Sequence, residues 1–290
     1  MQPPQSATDE PYAPGGDGIR RPRTEVAHRS DEYDEANYRQ LVRMQREHFW
    51  YRGRHRFVLR ALREHSAMCG SAVDLGGGCG GWVRYLHERA PHAFGELALA
   101  DSSARGLALA EPLIGGFASR YLVDLLQLGW RDRWDVATLL DALEHVPEDL
   151  QVLQQVHRAL RPGGVLLVTT PALQRFWSYN DELVHHVRRY SRADFARLAR
   201  EAGFELVRSR YFMFFLSPLL LISRWRRVDV AAMTPEQVQA MRDRTHRVPS
   251  APVNLALGAV FAAETPLGHW LPFPWGTSVL GVFRKPLRSR

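Results

Sequence analysis

Residues 71–82 read SAVDLGGGCGGW, five glycines and a cysteine placed directly after a short apolar run. A chain gives up side chains over such a stretch where its backbone must turn sharply and lie close to something else, because glycine adopts left-handed φ values and carries no Cβ. Helical spacing resumes over 82–89, so the segment reads as strand, tight turn, helix, with the helix N-terminus facing whatever occupies the turn. The rhythm continues downstream. Short apolar runs at 72–75, 97–100, 120–123, 136–140 and 165–169 alternate with helical stretches at 82–89, 104–111 and 150–160. Strand alternating with helix means right-handed crossovers and a mostly parallel sheet covered on both faces, an α/β fold. In such sheets ligands bind beyond the carboxyl ends of the strands, so functional residues are expected just after each apolar run.

Around this core the chain divides into further segments. Residues 1–30 are rich in Pro, Gly, Arg and Asp with almost nothing apolar, and are expected to be disordered. Residues 31–66 carry apolar positions at helical spacing and are expected to form a helical cap, with Gly53 separating two helices. Residues 67–211 form the core, and 277–290 contain its last strand and a tail. Between them lie residues 212–276, apolar with aromatic ends, too long for a hairpin connection and expected to be a helical lid or substrate subdomain. Shallow membrane contact, with Arg224, Arg226 and Arg227 against anionic headgroups, and a dimer interface are the alternatives for this segment. The net charge is +7 and the pI about 9.8. No arginine block interleaves with exposed-looking aromatics, so no nucleic-acid partner is expected. Two cysteines, Cys69 and Cys79, make no disulfide framework, and no leader is visible, so the expected location is cytoplasmic, or peripheral at a membrane if 212–276 docks there. Cys79 reads as a small buried hydrophobe.

The glycine loop alone leaves its ligand open. Gly76, Gly78 and Gly81 satisfy G-x-G-x-x-G, and Asp101 follows about 20 residues on, which also fits a nicotinamide dinucleotide site. The downstream residues discriminate. Asp74 ends the first apolar run, Asp101 the second, Asp124 follows the third, and Asp141, Glu144 and His145 follow the fourth. LRPGG (160–164) leads into the fifth. This series, DLGGGCG, Asp101, Asp124, LEHV and LRPGG, resembles the class I S-adenosylmethionine-dependent methyltransferases, in particular those acting on small molecules and lipid precursors with type 11 or type 23-like domains. HFWYRGR (48–54) and HHVRRYSRADFARLAREAGFELV (185–207) resemble the same group.

The resemblance implies a Rossmann-like sheet of seven strands, mostly parallel with an antiparallel last strand, preceded by N-terminal helices and carrying the helical insertion between strands six and seven. It implies S-adenosyl-L-methionine as cofactor. Asp74, Gly76 and Gly78 would face its methionine end, Asp101 and Ser102 its ribose and adenine edge, Asp124 and Leu125 its adenine, and Asp141 its methyl side. A sulfonium methyl is already activated, so the protein must hold the acceptor in line, and no metal is required. A base is needed only for an acceptor that arrives protonated, and His145, His185 and His186 are the candidates. Trp50, Tyr51, Arg54, Tyr179, Arg189 and Tyr190 are the expected substrate contacts. Core packing explains the aromatics equally well, and a cap network before Ser191 would account for the second histidine segment.

The expected function is methyl transfer to the O, N or C of a small or lipophilic acceptor. The alternatives are a protein that binds the same cofactor for another reaction, such as a cyclisation, and an NAD-dependent oxidoreductase. The latter is disfavoured because the only lysine, Lys285, stands in the terminal strand, where no Tyr-x-x-x-Lys pair can form.

Overall fold

The computed structural model describes residues 11–23, 26, 35–223 and 228–287. In chain order its elements are β1 (Tyr12–Pro14), β2 (Ile19–Pro22), α1 (Glu35–Glu47), α2 (Phe49–His65), β3 (Ser71–Leu75), α3 (Gly81–Arg89), β4 (Glu96–Asp101), α4 (Ala104–Ile114), β5 (Ala118–Leu122), β6 (Trp134–Leu140), α5 (Asp149–Ala159), β7 (Leu160–Pro171), α6 (Tyr179–Leu183), α7 (Arg192–Ala202), β8 (Glu205–Phe212), α8 (Ser217–Ser223), α9 (Pro235–Thr245), α10 (Ala251–Trp270) and β9 (Ser278–Arg284). The strands form one sheet in the order β1-β2-β5-β4-β3-β6-β7-β9-β8. The pairs from β5 to β7 are parallel, and β9 runs antiparallel to both β7 and β8. Strand order reverses beside β3, between β4 and β6, which puts the ligand crevice at the carboxyl ends of β3 and β6.

The expected sheet gains two strands. Residues 11–23, assigned to a disordered tail, form the hairpin β1–β2, and Ile19 and Arg20 of β2 pair in parallel with Arg120 and Tyr121 of β5. Tyr12 is buried, its hydroxyl donating to the Leu128 carbonyl at 2.7 Å and its ring packing on Tyr121 and Trp130. A two-stranded hairpin with so few apolar residues is not stable alone. Here the sheet edge supplies both its hydrogen-bond partners and its core. The turn signal PGGDG (14–18) between Tyr-Ala and Ile-Arg was present in the chain.

Helices cover both faces. On β6, Val136 and Leu140 pack with Phe57 and Leu62 of α2, whereas Ala137 and Leu139 pack with Leu153 of α5 and Phe195 of α7. The break between α1 and α2 falls at His48, not at Gly53. Gly53 is buried inside α2, where a Cβ would run into the ring of Phe261 on α10, its Cγ only 2.6 Å away. The residue thus permits a close helix crossing. Asn254 of α10 accepts from the Phe49 N–H at 2.8 Å and donates to the Glu47 carbonyl at 2.9 Å, tying the insertion to the same break. Arg224, Arg226 and Arg227 lie outside the described residues, as do residues 1–10 and most of 24–34. Among the described residues no helix is long and apolar enough to cross a membrane.

Candidate functional site

A cavity of about 750 Å³ opens at the carboxyl ends of β3 and β6, within the size range of small-molecule sites. All eight expected cofactor residues line it: Asp74, Gly76, Gly78, Asp101, Ser102, Asp124, Leu125 and Asp141. The glycine loop leaves β3 with Gly76 (φ +67°) and Gly78 (φ +61°) in the left-handed region, where a side chain would be strained. A Cβ on Gly76 would come within 2.8 Å of the Ala142 Cβ. Asp101 locks the loop, its two oxygens accepting from the N–H groups of Gly78 and Ser103, both at 2.8 Å. Asp124 is oriented by the Leu126 N–H at 2.8 Å.

Asp74 is buried and accepts from the Thr138 hydroxyl at 2.7 Å. Burial pushes its carboxyl up to about 7. Asp141 sits at φ +55° after β6 and accepts from Thr169 at 2.9 Å and from Arg54 at 2.6 Å. Arg54 is itself buried and lies 5.1 Å from the rings of both Trp50 and Tyr51. Trp50, Tyr51 and Arg54 all line the cavity, but Arg54 does not stand ready for a substrate anion, since Asp141 and the Leu140 carbonyl already engage it.

The histidines separate. His145 and His186 both line the cavity with ring centroids 4.8 Å apart. His185, at φ +57°, is outside the lining and instead accepts from Arg242 of α9 at 2.9 Å. His186 donates from Nδ1 to Asp181 at 2.9 Å, and Asp181 also takes two hydrogen bonds from Arg189, each at 2.8 Å. Burial alone would raise the Asp181 carboxyl, but the hydrogen bonds of His186 and Arg189 outweigh it and hold it well below the ordinary range. An ionised carboxylate only accepts, so the proton sits on Nδ1 and the neutral ring keeps its lone pair on Nε2. Arg189 lines the cavity, while Tyr179 and Tyr190 do not. Tyr190 is buried and donates to Asp149 at 3.0 Å, a packing role that explains its place after the fifth core strand.

Several lining residues were not singled out for the site from sequence. Glu144 is fully buried, neither of its oxygens has a hydrogen-bond partner, and Oε1 lies 3.8 Å from His186 Nε2. Burial, with the charge of Asp141 behind it, raises its carboxyl well above the usual range. Its signal was the LEHV motif itself. Among the described residues, Glu144, His145 and His186 also bring ligand atoms within 4.8 Å of one another, a spacing a metal ion could bridge, although no metal was expected. Tyr38 and Gln45 of α1 enter from the N-terminal cap. Gln45 accepts from the Gly81 N–H at 3.1 Å, so α1 props the glycine loop. Leu220, Thr245 and His246 come from the insertion, and Gln40 of α1 donates to the His246 carbonyl. Arg242 meanwhile donates to the Leu183 carbonyl at 2.7 Å, so α9 and its C-cap His246 tie α1 to α6 beside the cavity. Cys79 is buried, and burial pushes its thiol up to about 12, in keeping with a packing role.

Comparison with known proteins yields a match between residues 42–209 and the family model described as a methyltransferase domain. A Mycolicibacterium smegmatis protein named "Probable S-adenosylmethionine-dependent methyltransferase" is 30% identical over 171 residues, 55% of this chain and 61% of its own length. A ubiquinone biosynthesis O-methyltransferase of Methylococcus capsulatus is 29% identical over 125 residues, 39% of this chain and 48% of that protein. The chain thus spans 48% to 61% of the length of these relatives. Among solved structures, phosphoethanolamine N-methyltransferase 2 of Haemonchus contortus with S-adenosyl-L-methionine has a TM-score of 0.58 at 16% identity, covering 92% of this chain and 62% of that one. At that identity the likeness concerns the fold.

Proposed function

We propose, from the premise that this chain belongs to the methyltransferase domain family, that it moves a methyl group from S-adenosyl-L-methionine to a hydroxyl of a small, lipophilic acceptor. One observation carries this reading: a single cavity is lined by the glycine loop with Asp101 and Asp124 and also by the His145–His186 pair. The donor set suits the cofactor. Carboxylates that only accept hydrogen bonds match ribose hydroxyls at Asp101 and an adenine amine at Asp124. Asp141 matches a cationic amino-acid end, and the glycines leave the loop backbone open to close approach.

Bound there, S-adenosyl-L-methionine supplies a methyl group already activated on sulfur. The chain's residues do the rest. His186 accepts the acceptor's hydroxyl proton at Nε2, and Asp181 with Arg189 holds the ring in the tautomer that can do so. Burial beside His186 disfavours the charged form of Glu144. The insertion (212–276), acting as a lid on the core (67–211), narrows the mouth through α9 and excludes water. The printed name of the Methylococcus capsulatus relative supports oxygen as the acceptor atom.

The test has two parts. Calorimetric titration should give affinity for S-adenosylhomocysteine in the micromolar range, with no binding of NAD; NAD binding, or binding of neither, would overturn the reading. His186→Gln should keep the S-adenosylhomocysteine affinity yet lower labelled methyl transfer to a panel of alkylated phenols by roughly a hundredfold or more. Unchanged transfer would remove His186 as the base.

A further inference from the structure

The helix α10 is built inside out. Its 20 residues give a length of about 30 Å. Every exposed position on it is apolar: Ala, Pro, Val, Leu or Trp, from Ala251 to Trp270. Its polar residues point inward, where they are bonded. Glu264 accepts from the Phe215 N–H at 2.9 Å, and His269 meets the Phe57 carbonyl at 3.0 Å and Glu64 at 3.2 Å. An ordinary surface helix has the opposite arrangement. The outward apolar surface continues beyond this helix. Of the 12 exposed large hydrophobic side chains among the described residues, 10 lie in 212–276, with Leu255 at 74%, Trp270 at 75% and Ile222 of α8 at 67%. Such concentration marks an interaction surface.

Charge identifies what covers it. The adjoining helices α1 and α2 are strongly basic: between residues 35 and 65 stand eight arginines and three acids, Glu35, Glu47 and Glu64. Arg39, Arg43, Arg46, Arg52, Arg60 and Arg63 are exposed. A second copy docked on this face would bring a second basic flank to the same interface, adding like charge to like. An anionic lipid surface instead complements both the apolar face and its basic flank, and tryptophan at the edge of such a face suits the headgroup boundary.

We propose that α8 and α10 dock this protein on an anionic bilayer, lying in the interface without crossing it. Leu220 of α8 also lines the cavity, so the docked face adjoins the cavity. Delivery of a lipophilic acceptor from the bilayer rests on the function proposed above; the docking itself does not, and is measured without catalysis.

The experiment is cosedimentation of the full chain with vesicles of phosphatidylcholine alone, or with one third phosphatidylglycerol. The protein should partition roughly tenfold or more in favour of the anionic vesicles at low salt, and added salt should weaken this. The exposed double variant Leu255→Asp/Trp270→Asp should lose roughly tenfold or more of that binding, with unchanged circular dichroism and S-adenosylhomocysteine affinity. Arg52→Gln/Arg63→Gln should weaken binding to the anionic vesicles alone. Failure to bind either vesicle would overturn the proposal. So would a dimer in light scattering that the Leu255→Asp/Trp270→Asp variant splits, since the face would then belong to a second copy.

Discussion

Replacing Gly53 with alanine should destabilise this protein, even though Gly53 stands inside a helix. On helix propensity alone the change gains about 1 kcal/mol. The structure opposes it, because the added Cβ would lie 2.6 Å from Cγ of Phe261 and closer still to two other ring carbons. Phe261 is fully buried and stacks near Phe212 at 6.1 Å, so it cannot turn out into solvent to make room. Forcing a methyl group into such a contact costs about 1–3 kcal/mol, and a ring met side-on belongs at the upper end. The net expectation is a loss of about 1–2 kcal/mol. Phe261→Ala alone should cost about 3–5 kcal/mol by leaving a cavity. In that background the clash is gone, so Gly53→Ala should now stabilise by about 1 kcal/mol. The sign therefore inverts, with a coupling energy of about 2–3 kcal/mol between the two positions. Urea unfolding of the four proteins, followed by tryptophan fluorescence and far-ultraviolet circular dichroism, measures it. Stabilisation by Gly53→Ala in both backgrounds would refute the crossing of α2 and α10 at this point.

Two further outcomes follow from the site and the sheet edge. Asp74 keeps its proton up to about pH 7 in the fold but only to about pH 4 when unfolded, so its ionisation costs stability as pH rises through that window. Asp74→Asn should therefore raise Tm more at about pH 8 than at about pH 5; an equal rise at both would contradict the buried, proton-holding carboxyl. Tyr12→Ala should cost about 3 kcal/mol, because the ring is buried against Tyr121 and Trp130. An unchanged urea midpoint would mean the hairpin does not pack on the sheet.

The parts of this protein legible in its sequence are those whose signal is local. Each core strand is an apolar run, each core helix has its own period, and the ligand loop declares itself because only glycine serves at Gly76 and Gly78. Fold logic then places the residue after each strand in the crevice, which is why Asp74, Asp101, Asp124 and Asp141 all line the cavity. What the sequence could not decide depends on partners far along the chain. The hairpin of Tyr12 and Ile19 has almost no apolar content, and β5 supplies its hydrogen bonds. Gly53 looked like a break because the residue that needs its missing side chain, Phe261, is more than two hundred positions away. Three neighbouring candidates, His185, His186 and Arg189, were equal in sequence. Only the turn of the backbone sends His185 to Arg242 and leaves His186 in the cavity, with Asp181 bonded to both His186 and Arg189. Local periodicity determines which elements form; the direction in which a side chain points, and what it meets, is set by contacts that exist only once the chain is folded.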